Sequence, residues 1–187
     1  MKKGIAVVFP GIGYHVDKPL LYYSKKLAAG YGYEIKDVPY GGFKKNVKGN
    51  EKKMEEAYRD ALKQCRTLLG DVDFGQYDRI LFLSKSIGTC IAASYAAEHG
   101  LKTGNIFYTP VYQSFGLMRD PGIVFHGTAD QWLDHEVFMK EIAKTPYPFY
   151  LVEGGNHSLE TGNVKTDLAN LQVIMKETDD FIRNFTA

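Results

Sequence analysis

The sequence predicts an α/β fold: an open, mostly parallel sheet of about six strands with helices on both faces. Segments with helical spacing of apolar residues lie between most of the predicted strands. Strand–helix alternation along the whole chain favours one α/β domain spanning residues 1–187. Five short segments are apolar nearly throughout, which is typical of strands buried on both faces of a parallel sheet: residues 5–9, 79–83, 105–109, 122–126 and 149–153.

The first half of the chain contains the less regular predicted elements. Asp17 followed by Lys18 and Pro19 predicts a helix start, with Asp17 as the N-cap and the proline in the first turn. The segment YEIKDV (33–38) is a weaker sixth strand. Apolar residues from position 54 to 69 recur at i, i+3, i+4 and i+7, so a second helix is expected there.

The second half alternates more clearly. A helix over 87–99 is expected to stop at Gly100. Only 12 residues, 110–121, separate two predicted strands, which leaves room for a short helix and none for a lid domain. Asp134 is placed to cap a helical stretch near 134–143, and a last helix is predicted over 168–185.

Composition narrows the classes of function. Hydrophobic residues make up 44% and charged residues 24%, and the net charge of +1 provides no bulk field for nucleic acid or an anionic membrane surface. No apolar run approaches the ~18 residues of a membrane span, and no signal peptide is recognisable. Cys65 and Cys90 lie on apolar faces of predicted helices without a metal-binding spacing. We therefore expect a cytoplasmic protein with no metal and no cofactor, and with neither nucleic acid nor membrane as partner.

A cluster of small polar residues, SKSIG (84–88), interrupts the change from strand to helix. A sharp turn there would lift Ser86 above the carboxyl edge of the sheet, with its hydroxyl exposed as a nucleophile. Such a turn needs small residues two positions before and after the serine, and Ser84 and Gly88 meet that need. A serine that only caps the helix is the alternative.

Two more polar residues follow later strand ends. Asp130 comes after the strand at 122–126, and His157 comes after the strand at 149–153. The order Ser86, Asp130, His157 is that of α/β-hydrolases and differs from the chymotrypsin and subtilisin orders. Ligands of open α/β sheets bind at this edge of the sheet. The alternatives are a helix cap for Asp130 and an ordinary polar loop residue for His157.

The loop after the first strand, PGIG (10–13), is the fourth candidate part. Backbone N–H groups of Ile87 and Ile12 are the expected oxyanion donors, with Gly13 and Tyr14 close by. A dinucleotide phosphate loop is the competing interpretation, but its third glycine would fall on Val16.

On the motifs SKSIG, HGTAD and GGNHS, the chain resembles small lidless α/β-hydrolases, similar to dienelactone-hydrolase-like esterases. Two departures are Ser84 in place of the usual glycine and PGIG in place of a histidine–glycine loop. The resemblance implies acyl transfer on a small ester, thioester or similar substrate, with Ser86 as nucleophile, His157 as base and Asp130 orienting the imidazole.

Substrate contacts are less constrained by the sequence. Residues expected in loops beyond strand ends are candidates for the pocket: Gly13, Tyr14, Tyr112 and Trp132, with Tyr40 and Phe115 as further aromatics. A catalytically silent, hydrolase-like binding module stays open as an alternative, as does a nucleotide-binding α/β protein.

Overall fold

A computed structural model of the chain describes residues 3–44 and 46–185. In this part of the chain six strands form one sheet in the order β2-β1-β3-β4-β5-β6, and all neighbouring strands are parallel. The strands are β1 (Gly4–Phe9), β2 (Tyr33–Asp37), β3 (Arg79–Lys85), β4 (Gly104–Tyr108), β5 (Gly122–Gly127) and β6 (Phe149–Val152). The predicted open parallel sheet, including its weaker strand at 33–38, is confirmed.

Helices cover both faces of the sheet. They are α1 (Pro19–Gly30), α2 (Glu51–Leu68), α3 (Ile87–His99), α4 (His135–Ile142) and α5 (Val164–Asn184), with short 3₁₀ helices at Phe74–Gln76 and Tyr112–Gly116. Val7 of β1 packs into the core beneath α2 and α3, whereas its neighbours Ala6 and Val8 pack beneath α1 and α5. β1 and β3 contribute to both cores, which requires apolar residues on both of their faces. In the edge strand β6, by contrast, Phe149 and Leu151 are exposed.

The start of α1 differs from the prediction. Lys18, not Asp17, occupies the N-cap position, and its own side chain makes no capping hydrogen bond. The hydroxyl of Tyr14 accepts a hydrogen bond from Leu20 N–H at 3.1 Å, so a tertiary contact satisfies one of the free N–H groups. Asp17 lies one position too early to cap and pairs instead with Lys25 Nζ at 3.2 Å.

Other element boundaries agree closely with the prediction. β3 extends to Lys85, two residues beyond the predicted end, because Ser84 and Lys85 continue the pairing with β4. Gly100 ends α3 in the left-handed conformation at φ 63, as expected. Between β4 and β5 the chain forms only the Tyr112–Gly116 3₁₀ helix and loops, so the predicted absence of a lid domain is confirmed. None of the helices in the described segments combines the length and hydropathy needed to cross a membrane.

Candidate active site

Ser86 occupies a strained turn between β3 and α3. Its backbone has φ 56 and ψ −126, which is rare for a residue with a side chain. Its N–H donates to the carbonyl of Tyr108 at 3.0 Å, and the hydroxyl of Thr89 donates to its carbonyl at 2.6 Å. Strain of this kind persists only where surrounding contacts enforce it, and it concentrates at functional sites.

Close packing around Ser86 holds its backbone in this strained conformation. A Cβ at Gly88 would lie 2.3 Å from the carbonyl oxygen of Phe9, so only glycine fits there. A Cβ at Gly11 would lie 3.1 Å from the Cβ of Ser86, which shows how closely the loop after β1 passes. The hydroxyl of Ser84 donates to the carbonyl of Ile106 at 3.0 Å, so a buried serine is satisfied where glycine is usual.

The structure brings the side chains of Ser86, Asp130 and His157 together. Ser86 Oγ lies 2.8 Å from His157 Nε2. His157 Nδ1 lies 2.8 Å from Oδ2 and 3.0 Å from Oδ1 of Asp130. Ser86 follows β3, Asp130 follows β5 and His157 follows β6, so three parallel strands deliver three side chains to one edge of the sheet. An ionised carboxylate only accepts, so Nδ1 carries the proton and Nε2 faces the serine as an acceptor.

Burial and hydrogen bonding set the charge states of this cluster. Burial lowers the pKa of His157 below its ordinary value, and the hydrogen bond to Asp130 opposes this without cancelling it. Burial acts to raise the pKa of Asp130. The hydrogen bonds from His157 and from Trp132 N–H, the latter 2.7 Å long, outweigh burial and leave that pKa below its ordinary value. The result is a neutral imidazole facing Ser86 and a carboxylate behind it.

The loop after β1 forms a tight turn beside Ser86. Gly11 N–H donates to the Tyr14 carbonyl at 3.0 Å, and Tyr14 N–H donates to the Gly11 carbonyl at 3.2 Å. Within the described residues, the N–H groups of Ile12 and Ile87 donate to no protein acceptor. Both are the donors expected from the sequence, and both are free to bind an oxygen.

A groove of about 930 Å³ opens next to this cluster. Tyr112 and Trp132 line it, as expected, together with Ile87, the residue after the nucleophile candidate. Other apolar lining residues are Val47, Met54, Tyr58, Cys90, Val111 and Leu117. Lys48 reaches across one end, where its Nζ donates to Gln131 Oε1 at 3.0 Å and lies 6.0 Å from the centre of the Trp132 ring.

Gly13 and Tyr14 lie outside this groove, although the sequence suggested both for the pocket. Tyr14 is buried because its hydroxyl anchors the start of α1. Tyr40 is also buried, with its hydroxyl donating to the Pro10 carbonyl at 2.6 Å, and Phe115 packs against Phe138. These aromatics stabilise the loops and the core instead of lining the groove.

Lys85 and Lys48 are the residues near the site that sequence reasoning missed. Lys85 is 1% exposed and directly precedes Ser86, and a lysine inside an apolar strand was the available signal. Lys48 follows no recognisable pattern, because its position depends on the path of the loop before α2. No three His, Cys, Asp or Glu side chains in residues 3–44 and 46–185 form a group that could hold a metal ion.

Solved structures of the α/β-hydrolase fold are similar to this architecture. The chain has the α/β-hydrolase fold, so the resemblance inferred from the sequence is confirmed at the level of fold. No family model and no curated protein matches the sequence.

Three solved structures illustrate the likeness. An alpha-beta serine hydrolase homologue from Coxiella burnetii is 17% identical, with a TM-score of 0.63 and coverage of 94% of this chain and 84% of that one. A serine hydrolase without a lid from Xanthomonas campestris is 11% identical, with a TM-score of 0.66 and coverage of 100% and 84%. Est1E from Butyrivibrio proteoclasticus, solved with ferulic acid bound, is 12% identical, with a TM-score of 0.66 and coverage of 97% and 89%.

Proposed function

We propose that this protein is a serine hydrolase that acts by acyl transfer on an ester, thioester or similar small acyl substrate. The observation that carries the proposal is the hydrogen-bonded series from Ser86 Oγ through His157 to Asp130, with both links at 2.8 Å. A strained serine at a strand–helix turn, a neutral imidazole and a buried carboxylate are the parts that this chemistry needs.

The geometry supports a two-step reaction. His157 Nε2 takes the proton of Ser86 as Oγ attacks the substrate carbonyl, and the imidazolium then donates that proton to the leaving group. Asp130 holds the Nδ1–H tautomer and stabilises the imidazolium. Water activated by His157 afterwards attacks the acyl-enzyme and releases the acid, which regenerates Ser86.

Two backbone donors support stabilisation of the oxyanion. We assign the first to Ile87 N–H at the start of α3, where the helix dipole favours negative charge. We assign the second to Ile12 N–H. Pro10 has no N–H, and the Gly11 and Tyr14 N–H groups are bonded to each other's carbonyls, so Ile12 and Gly13 carry the unpaired donors of this loop. Ile12 directly follows Gly11, the residue that passes close to Ser86.

The groove favours an apolar acyl or alcohol group. Most of its lining side chains are aliphatic, aromatic or sulfur-containing, and Trp132 and Ile87 continue it toward Ser86. A volume of about 930 Å³ exceeds what an acetyl group fills and lies in the range of pockets for small organic ligands. The ferulic acid in the Est1E structure, an aromatic carboxylic acid, fits this type of substrate. A cytoplasmic location belongs to the same proposal, supported by two buried free cysteines.

Active-site labelling tests the proposal. A fluorophosphonate should label the wild type and fail to label Ser86→Ala, while both proteins melt at similar temperatures. Ser84→Ala removes the other hydroxyl of the same turn and should retain the label and most hydrolysis of p-nitrophenyl esters. Absence of both labelling and turnover in the wild type would instead favour a catalytically silent binding module.

A further inference from the structure

A lysine lies buried directly beneath the candidate nucleophile. Lys85 is the last residue of β3 and is 1% exposed. Successive side chains of a strand point to opposite faces, so Lys85 shares a face with Leu83 and not with Ser84. This face packs on the core beneath α1 and α5. Among the described residues, no ion pair joins Lys85 Nζ to a carboxylate. Burial of an ammonium without a paired carboxylate is unfavourable, so the contacts that Lys85 does make are of interest.

Two contacts of Lys85 involve the turn at Gly11–Tyr14. Its Nζ lies 5.1 Å from the centre of the Tyr14 ring, which is cation–π geometry. Its stem lies near the other end of the turn, because a Cβ on Gly11 would lie 3.5 Å from Lys85 Cγ and 3.3 Å from its carbonyl oxygen. Tyr14 in turn accepts the hydrogen bond from Leu20 N–H, which ties the turn to α1.

The groups around Lys85 fix its charge. Asp130 and His157 approach from the loops after β5 and β6, and Tyr14 from the loop after β1. Its partner in register on β4 is Tyr108, whose hydroxyl is bonded to Ser24 and Thr178.

Burial lowers the pKa of Lys85 to about 7, and the charge of Asp130 opposes that shift. The ammonium form therefore predominates on the acidic side of neutrality.

We propose that Lys85 is a positioning residue for the oxyanion site. Its ammonium, held against the face of Tyr14, and its stem, packed on Gly11, fix the turn that presents Ile12 N–H. The inference rests on the proposed function and adds to it a residue that no part of the Ser–His–Asp chemistry requires. Loss of the charge should loosen the turn and weaken a donor that acts in the transition state.

The central variant is Lys85→Met, which retains length and apolar stem but removes the charge. The expected result is a fall in kcat of about 10-fold, which corresponds to ~1.4 kcal/mol and lies within the range of a desolvated cation–π contact. KM for p-nitrophenyl butyrate should change by less than about twofold, because the oxyanion donor acts mainly on the transition state. Leu83→Met, on the same face of the same strand, is the matched control and should retain the kcat of the wild type.

A pH profile from about pH 5 to 9 separates positioning from simple packing. In the wild type, kcat/KM should decline on the alkaline side as Lys85 loses its proton, with a midpoint near the pKa of about 7. In Lys85→Met, kcat/KM should lack this alkaline decline and should stay low and constant at alkaline pH. Tyr14→Leu should reduce kcat similarly, and the double variant should lose no more than the larger single loss, because both remove one contact.

A readout without turnover completes the test. Amide hydrogen exchange of Gly11 and Tyr14, whose N–H groups close the turn, should be faster in Lys85→Met and unchanged in Leu83→Met. The inference would be overturned if Lys85→Met had the kcat, pH profile and amide exchange of the wild type. It would also be overturned if Lys85→Met had a lower kcat but unchanged exchange, and if its effect on kcat added to that of Tyr14→Leu. If the wild type neither turns over nor takes the fluorophosphonate label, the proposed function fails, and exchange alone decides whether Lys85 holds the turn.

Discussion

The indole of Trp132 stacks on the imidazole of His157, with ring centroids 5.4 Å apart and an angle of 27° between the planes. The backbone N–H of Trp132 also donates to Asp130 Oδ1 at 2.7 Å. One residue therefore contacts both members of the His157–Asp130 pair, and the same indole forms a wall of the groove. We infer that Trp132 couples substrate binding to the orientation of the imidazole.

Trp132→Leu should lower kcat by about 10-fold and raise KM, because it removes both the stacking on His157 and an apolar wall. Trp132→Phe retains an aromatic face, so its kcat and KM should lie between those of the wild type and Trp132→Leu. The matched control is Tyr112→Leu, a lining aromatic without contact to His157, which should raise KM with little change in kcat. Steady-state kinetics on p-nitrophenyl butyrate measure this split, and equal kcat in wild type and Trp132→Leu would contradict the coupling.

Two aspartates after β5 should respond differently to substitution. Asp130 bonds to His157, whereas Asp134 caps α4 by accepting from Glu136 and Val137 N–H at 2.9 and 3.2 Å. Asp130→Asn should cut kcat by ~10⁴, because the amide favours the wrong imidazole tautomer. Asp134→Ala should cost about 1 kcal/mol of unfolding free energy with kcat nearly unchanged. Kinetics and denaturant midpoints decide, and an inactive Asp134 variant beside an active Asp130 variant would reverse the assignment.

Much of the fold follows from the apolar runs, because strands buried on both faces leave a pattern that does not depend on distant residues. The cap of α1 was predicted wrongly because it depends on a residue outside the local sequence pattern. The Leu20 N–H is satisfied by Tyr14, a contact set by the path of the loop after β1. Prediction of Asp134 as a cap succeeded because that interaction is local in sequence.

The candidate site divides in the same way. Strand ends indicate where Ser86, Asp130 and His157 emerge, so their positions along the chain suggest one edge of the sheet. The groove lies between α2, α3, the segment before α2, the Tyr112–Gly116 3₁₀ helix and the loop after β5. The packing of these segments against one another leaves no periodic signal in the sequence. For this reason Gly13 and Tyr14 were expected at the groove, and Lys48 was not.

His157 should govern the acid limb of the pH profile. The base acts only when deprotonated, so kcat/KM should rise with pH as the imidazole loses its proton. Because burial lowers the pKa of His157, the midpoint should fall below 6.5. The charges of Lys85 and Lys48 also lower the pKa of His157, so Lys48→Gln should move the midpoint to higher pH. A flat acid limb with chemistry rate-limiting would argue against a histidine base.

Gly88 should tolerate no side chain. A Cβ there would lie 2.3 Å from the Phe9 carbonyl oxygen and 2.7 Å from that of Pro10, both rigid backbone atoms next to the turn at 11–14. Gly88→Ala should therefore abolish esterase activity and lower the melting temperature by several degrees. Gly30→Ala, at the end of α1 where a Cβ meets nothing within 4 Å, is the control and should change neither. Full activity of Gly88→Ala would mean that the turn at Ser86 packs differently.

Burial of Lys85 should also appear in the pH dependence of stability. Its pKa falls from an ordinary 10.5 in the unfolded chain to about 7 in the folded one. Between these values the unfolded state binds more protons, so the contribution of Lys85 to folding rises with pH, by up to ~1.4 kcal/mol per unit. Below the folded pKa both states hold the proton, and the full cost of the buried cation remains.

Lys85→Met removes this dependence. The variant should gain stability over the wild type at about pH 6, and that advantage should shrink steadily toward about pH 9 as the wild-type lysine becomes neutral in the fold. Urea midpoints measured at pH intervals test this, with Leu83→Met as the control that should follow the wild type in parallel. Midpoints of Lys85→Met and wild type that differ by the same amount at every pH would mean that Lys85 titrates alike in both states. Its ammonium would then be solvated and not held on the face of Tyr14.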